Sequence, residues 1–270
     1  MTRGVRSVQL ALCLTVVLEI APGDAPAGRE VRDHFDTVVI DAGHGGDDEG
    51  AVGTGGLTEK ELVLDVAGRL ARRLRDRGLT VVLTRQDDTF VPLETRTSVA
   101  NDARADLFIS IHANAARSSA PRGVETYFVS LEASDESARQ VAQRENDAFG
   151  THAASMVEDD PLLALLGDMI ATEHVRESSE FARLAQAELA DLGSIPSRGV
   201  KQAPFVVLMG VQMPACLIEI GFLTNAGDER ALRAAPRRDA IADALARAVA
   251  SFGERFDARR GRRAGLSAPR

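Results

Sequence analysis

His44, Glu59, His112 and Glu219 lie in four separate segments, and their residue types are those of a hydrolytic metal centre. Imidazole nitrogens and carboxylate oxygens are ligands that divalent zinc accepts, and a further carboxylate can carry protons. His44 follows the β-branched run Thr37-Val38-Val39-Ile40, in a turn loosened by Gly43, Gly45 and Gly46. A strand's carboxyl end is where α/β folds gather their sites, and Asp41 is placed to orient the imidazole. The same glycines could cradle a phosphate, but the Lys-Ser/Thr of a P-loop and the G-x-G-x-x-G order are absent.

Glu59 stands in Thr58-Glu59-Lys60-Glu61, which has the form of a capping box with Thr58 as N-cap and Glu61 at the third helical position. As first helical residue, Glu59 could project toward a cation or simply complement the positive helix terminus. His112 closes the apolar run Leu107-Phe108-Ile109-Ser110-Ile111, a second histidine at a strand's carboxyl end or a satisfied core histidine. Glu219 interrupts Leu217-Ile218-Glu219-Ile220. A carboxylate there is costly unless paired, metal-bound or functional, and desolvation would raise its pKa toward that of a general acid/base.

The elements that must position these residues follow from periodicity. Strands are predicted at 37–40, 79–83, 107–111, 124–129, 205–208 and 215–220. Helices are predicted at 58–77, 93–103, 134–146, 181–192 and 236–256. The helix at 58–77 is the clearest, with Leu62, Val66, Leu70 and Leu74 on one stripe and Gly78 to end it. Alternating strands and helices predict an α/β single domain, its central sheet mainly parallel and flanked by helices on both faces.

At 270 residues, 44% hydrophobic and 27% charged, the chain is long enough for one sizeable core. Aromatics make up only 4%, with no Trp and one Tyr, which argues against stacking platforms for nucleic acid or sugar. A net charge of −8 excludes nucleic-acid binding by bulk electrostatics. Residues 1–27 have the form of a secretory signal: Arg3 and Arg6, an apolar stretch over 8–20, then Ala25-Pro26-Ala27. An uncleaved anchor is the alternative, though the stretch is short for a membrane span. Removal of the signal would leave Cys216 as the sole cysteine, suited to a packed core thiol. The expected organisation is signal at 1–27, linker at 28–35, catalytic domain at 36–256 and a disordered Arg-rich tail at 257–270.

Several motifs carry a resemblance. The segments 39–46 (VIDAGHGG), 57–60 (LTEK), 110–114 (SIHAN) and 219–225 (EIGFLTN) resemble those of the zinc-dependent N-acetylmuramoyl-L-alanine amidases, the Amidase 3 family. Thr84-Arg85, Arg96 with Ala100-Asn101, Gly123-Val124-Glu125-Thr126 and Arg144-Glu145-Asn146 extend it over roughly residues 36–256. The resemblance implies one Zn2+ per chain held by His44, Glu59 and His112, with Glu219 as the catalytic carboxylate and Asn114 and Glu125 orienting substrate or a ligand. The implied reaction is hydrolysis of the amide between N-acetylmuramic acid and L-alanine in peptidoglycan, in the periplasm, during wall remodelling and daughter-cell separation. A zinc peptidase of related architecture and an inactive wall-binding scaffold are the rivals.

Residues 147–179 form an acidic insertion. From Glu145 to Glu180 nine acidic residues face one basic residue, Arg176. The insertion resembles the helical segment that blocks zinc in some Gram-negative relatives until an activator protein moves it. That implies an acidic plug, for which Glu173 and then Glu158 are the choices.

Overall fold

The computed structural model describes residues 34–147, 172–193 and 195–267. Six strands form one sheet: β1 (Thr37–Ala42), β2 (Thr80–Leu83), β3 (Leu107–Asn114), β4 (Val124–Val129), β5 (Ser197–Ala203) and β6 (Ala215–Phe222), in the order β2-β1-β3-β6-β4-β5. All neighbours are parallel except β4 and β6, which run antiparallel. The expectation of an α/β domain with a mainly parallel sheet is met.

Every residue of β1, β3 and β6 is buried, because both faces of the sheet are covered; hence the near-continuous apolar runs. On one face α1 (Glu59–Arg75) presents Leu62, Val66, Leu70 and Leu74 to the sheet. Beside it lie two helices that we number α4 (Thr172–Ala190) and α7 (Ala235–Ser267). The other face is packed by α2 (Leu93–Asp102), α3 (Glu136–Asp147) and α5 (Val206–Met209) around Phe108, Tyr127 and Leu217. A short α6 (Ala226–Arg233) joins β6 to α7. Each large apolar side chain so buried contributes about 1.5–3 kcal/mol, and this holds the strand ends in place.

Three expectations are corrected. The last-but-one strand is Ser197–Ala203, not 205–208; the apolar quartet Val206–Met209 is instead one helical turn packed under the sheet. β5 is an edge strand and half-buried, so its sequence SRGVKQA lacks the apolar run that marks a buried strand. Second, the Arg-rich tail is helical as far as Ser267. Arg259 reaches Glu180 (2.8 Å) and Glu177 (3.2 Å) of α4, and Arg260 stacks 4.3 Å over Phe256, giving the charged turns of α7 a surface to follow. Third, α4 begins at Thr172, so the end of the acidic insertion belongs to a core helix with Phe181, Ala182, Ala185 and Leu189 fully buried. Among the described residues no helix is long and apolar enough to cross a membrane.

Candidate metal centre

The carboxyl ends of β1 and β3, the first residue of α1 and the last turn of α3 meet at one edge of the sheet. There, ligand atoms of His44, Glu59, His112 and Glu145 lie within 4.8 Å of one another, all buried. The structure thus brings together three of the residues singled out by sequence and adds a fourth, Glu145.

His44 sits at φ +58°, a left-handed conformation uncommon outside glycine, and this turns its ring inward. Arg96 fixes that backbone by donating from Nη2 to the His44 carbonyl at 2.8 Å. The ring's Nδ1 faces Asp48 Oδ2 at 2.8 Å, while Nε2 points at Glu59 Oε1 (3.1 Å) and Glu145 Oε2 (3.2 Å). An imidazole held by an outer carboxylate, with its other nitrogen turned into a cluster of acceptors, is a common form of a metal-ligating histidine. Gly50, at φ +64°, must lack a side chain: a Cβ would stand 2.6 Å from the His44 ring and 2.7 Å from Glu59 Oε2.

Asp41 does not touch the His44 ring as expected. It accepts from Arg96 Nη1 (2.7 Å), Thr84 Oγ1 (2.6 Å) and Ser110 Oγ (2.7 Å), so it braces the arginine that grips the His44 backbone. The outer carboxylate is Asp48, whose place four residues after His44 was the available signal.

Thr58 is the N-cap of α1, yet it makes no capping hydrogen bond, so the capping box is not formed. The Glu59 carboxylate instead accepts from the backbone N–H groups of Ala51 and Ala113, both at 2.9 Å, and Oε1 lies 3.0 Å from His112 Nδ1. His112 Nδ1 also lies 3.0 Å from Glu145 Oε2.

These contacts set the protonation of the metal-free cluster. Burial alone would lower the pKa of His112, but Glu145 and Glu59 outweigh it and hold it at about 10. Burial works the same way on His44, and Glu59, Asp48 and Glu145 overcome it, so its pKa is raised strongly. Burial would raise Glu59 and Glu145. The imidazoliums reverse this, driving Glu59 well below the carboxylate range and Glu145 to about 2. Two imidazoliums between two carboxylates supply the positive charge that a dication would bring; bound metal would leave both rings neutral. The donor set, geometry and charge all fit a divalent metal such as zinc.

Glu219 is fully buried in β6, beside His112 on β3 and opposite Glu125 on β4. Neither of its carboxylate oxygens has a hydrogen-bond partner among the described residues. Burial first, then the charge of Glu145, raises its pKa well above the usual value, as suits a group that must hold and release a proton.

Asn114 and Glu125 stand at the same edge as a linked pair. Asn114 donates to Glu125 Oε2 (3.2 Å) and accepts from Arg144 Nη2 (2.6 Å). Glu125 also accepts from the Tyr127 hydroxyl (2.6 Å), Arg198 Nε (2.5 Å) and Lys201 Nζ (3.0 Å), and against burial these partners keep it ionised. Glu158 lies outside the described residues, as does the side chain of Glu173. The carboxylate that does occupy the cluster, Glu145, had a readable signal. It extends the buried face of α3 formed by Ala138, Val141 and Ala142, and an acid on an apolar face is costly without a partner. Cys216 is buried with a raised thiol pKa, consistent with packing.

Fold and site together define an α/β domain with a buried His/Glu cluster, able to hold a metal ion, at the carboxyl ends of its strands. Residues 38–251 match the model of the N-acetylmuramoyl-L-alanine amidase family, Amidase_3. The chain is 36% identical to the amidase AmiA of Escherichia coli K12 over 222 residues, 82% of this chain and 77% of that one. It is 33% identical to AmiC of Neisseria meningitidis over 226 residues, 83% of this chain but 54% of that longer protein. The solved catalytic domain of the amidase CwlV from Bacillus (Paenibacillus) polymyxa superposes with a TM-score of 0.62 at 30% identity, over 81% of this chain and 98% of that one. The chain belongs to the N-acetylmuramoyl-L-alanine amidase family.

Proposed function

We propose that this chain is a zinc-dependent, autoinhibited amidase that cleaves the bond between N-acetylmuramic acid and L-alanine in peptidoglycan. The carrying observation is the pairing of a buried cluster of two histidines and two glutamates with a carboxylate on the adjacent strand, Glu219, that has no hydrogen-bond partner among the described residues. His44, Glu59 and His112 would hold the ion on rigid strand and helix ends. Zinc held there supplies the Lewis acidity that amide hydrolysis needs. Glu219 takes a proton from the attacking water and returns it to the leaving nitrogen of L-alanine. Its raised pKa suits both transfers. Asn114 and Glu125 frame the substrate side of Glu219.

Glu145 is the self-inhibiting group in this reading, in place of Glu173 or Glu158. Its carboxylate fills the fourth ligand position, and Asn146 beside it fastens the end of α3, donating to the Pro204 carbonyl (2.9 Å) and accepting from Val206 N–H (3.0 Å). An activator protein would have to break that fastening. The N-terminal segment at 1–27, outside the described residues, supports export, so the enzyme would act in the periplasm during wall remodelling and daughter-cell separation.

The test is mass spectrometry of purified peptidoglycan incubated with zinc-loaded protein, wild type and Glu145→Ala. Free stem peptides establish the amidase, and release by the variant alone establishes self-inhibition. Cleavage of peptides lacking muramic acid would favour a zinc peptidase, and no product from either form would favour a wall-binding scaffold.

A further inference from the structure

Glu125 gathers two cations, and they are not equivalent. Lys201 Nζ is shared between Glu125 (3.0 Å) and Asp135 (3.2 Å), with its side chain 11% exposed. Arg198 commits only Nε to Glu125; its two Nη nitrogens make no hydrogen bond among the described residues, and the side chain is 30% exposed. Its guanidinium lies 5.3 Å over the ring of Phe222, which restrains it further. The head group is therefore aimed by a carboxylate on one edge and an aromatic face below, while its outer fork is open to a ligand. Arg198 is the second residue of β5, and β4 and β5 begin at the sheet edge where β6 ends. A bulge in β6 sets Phe222 opposite Asn114 and Glu219 opposite His112, two residues apart on β3, so the fork stands about 7 Å along the strand from the catalytic carboxylate. An extended peptide spans about 3.3 Å per residue. That distance is the reach of the second residue of a stem peptide whose first amide lies at Glu219.

We infer that Arg198 is a specificity-determining residue that binds a carboxylate on the peptide side of the substrate, at the second residue beyond the scissile amide. The planar fork matches a carboxylate bidentately, which an ammonium or an amide does not. Arg144, a third cation nearby, is carried on the same helix as Glu145 and would move with it, whereas Arg198 stays with the sheet. The inference rests on the amidase reading above.

Two synthetic N-acetylmuramyl-L-alanyl-γ-D-glutamyl-L-lysinamide peptides test it, identical except for a carboxylate or a carboxamide on the second residue. The zinc-loaded Glu145→Ala protein is the parent, with Arg198→Gln and Lys201→Met added singly. Calorimetry with the muramic-acid-free peptides measures binding, and chromatography of the muramyl peptides measures turnover. The parent should prefer the carboxylate about 10- to 100-fold in both assays, the range of a charge-assisted hydrogen bond. Arg198→Gln should reduce the preference to about threefold or less, the range of a neutral contact. Lys201→Met, which disturbs the same Glu125 without touching the fork, should keep it. Equal binding of acid and amide by the parent, or a preference that survives Arg198→Gln, overturns the assignment. Selective binding without hydrolysis of either muramyl peptide would instead count against the amidase reading alone.

Discussion

Glu145→Ala is the most informative single substitution. Glu145 Oε2 lies 3.0 Å from His112 Nδ1 and 3.2 Å from His44 Nε2 in a buried cluster. One charge-assisted contact of the Glu145 carboxylate, to the imidazoliums or to a dication held in their place, contributes about 1.5–3 kcal/mol. Asn146 adds two neutral hydrogen bonds at 2.9 and 3.0 Å, each about 1 kcal/mol net. Taking about 3 kcal/mol for the carboxylate, the closed arrangement outweighs the open one by roughly 100-fold on that account alone. Basal release of stem peptides by zinc-loaded Glu145→Ala should therefore rise about 10- to 100-fold, and Asn146→Ala alone by no more than about 10- to 30-fold. The assay is chromatographic quantification of released peptides under initial-rate conditions, with metal content and thermal unfolding recorded for each variant. A folded, metal-replete Glu145→Ala protein no more active than wild type would refute the closure argument, because the fourth ligand would then not limit turnover.

Glu219→Gln should lower turnover by about a thousandfold or more while leaving metal content unchanged, as measured by atomic absorption beside the activity assay. His112→Ala should lower zinc affinity about 10- to 100-fold or more in chelator competition; retention equal to wild type would remove it from the ligand set. The metal-free protein should lose stability as pH rises. The folded pKa of His112 is raised to about 10, so its contribution is complete below the unfolded value of about 6.5 and disappears as pH rises through about 10. Thermal unfolding from pH 6 to 10 should show that decline in the metal-free form and not in the zinc-loaded form, whose imidazoles are already neutral.

The sheet and three residues of the buried cluster were legible because they follow local rules. β1, β3 and β6 are buried on both faces, so their apolar runs stand out, and His44 and His112 stop those runs at the same end. Glu219 was legible for the same reason: a charge amid buried aliphatics has to be justified. β5 was not, because an edge strand needs little apolar surface and SRGVKQA supplies little. Asp48 and Glu145 were missed for a different reason. Each carried a weak signal, one an acid four residues after His44 and the other an acid continuing the buried face of α3, and only the tertiary packing of the β1 loop and α3 reveals the imidazoles they face. The Thr58 capping box failed in the opposite direction: its pattern was clear, but Glu59 turns to Ala51, Ala113 and His112 and no local cap forms.

The reversal of β4 has a consequence for how a substrate can lie. Along one edge of the sheet four strands finish and two begin, and the change of direction falls between β6 and β4, beside Glu219. β3 on one side of Glu219 runs parallel to β6 and β4 on the other runs against it, so the ladder changes from evenly spaced slanted bonds to paired perpendicular ones at that residue. Its neighbours across the strands are accordingly of two kinds, His112 at the finishing end of β3 and Glu125 near the start of β4. A ligand laid across the edge would meet strand ends on one side of Glu219 and strand beginnings on the other, so its two orientations are unequal.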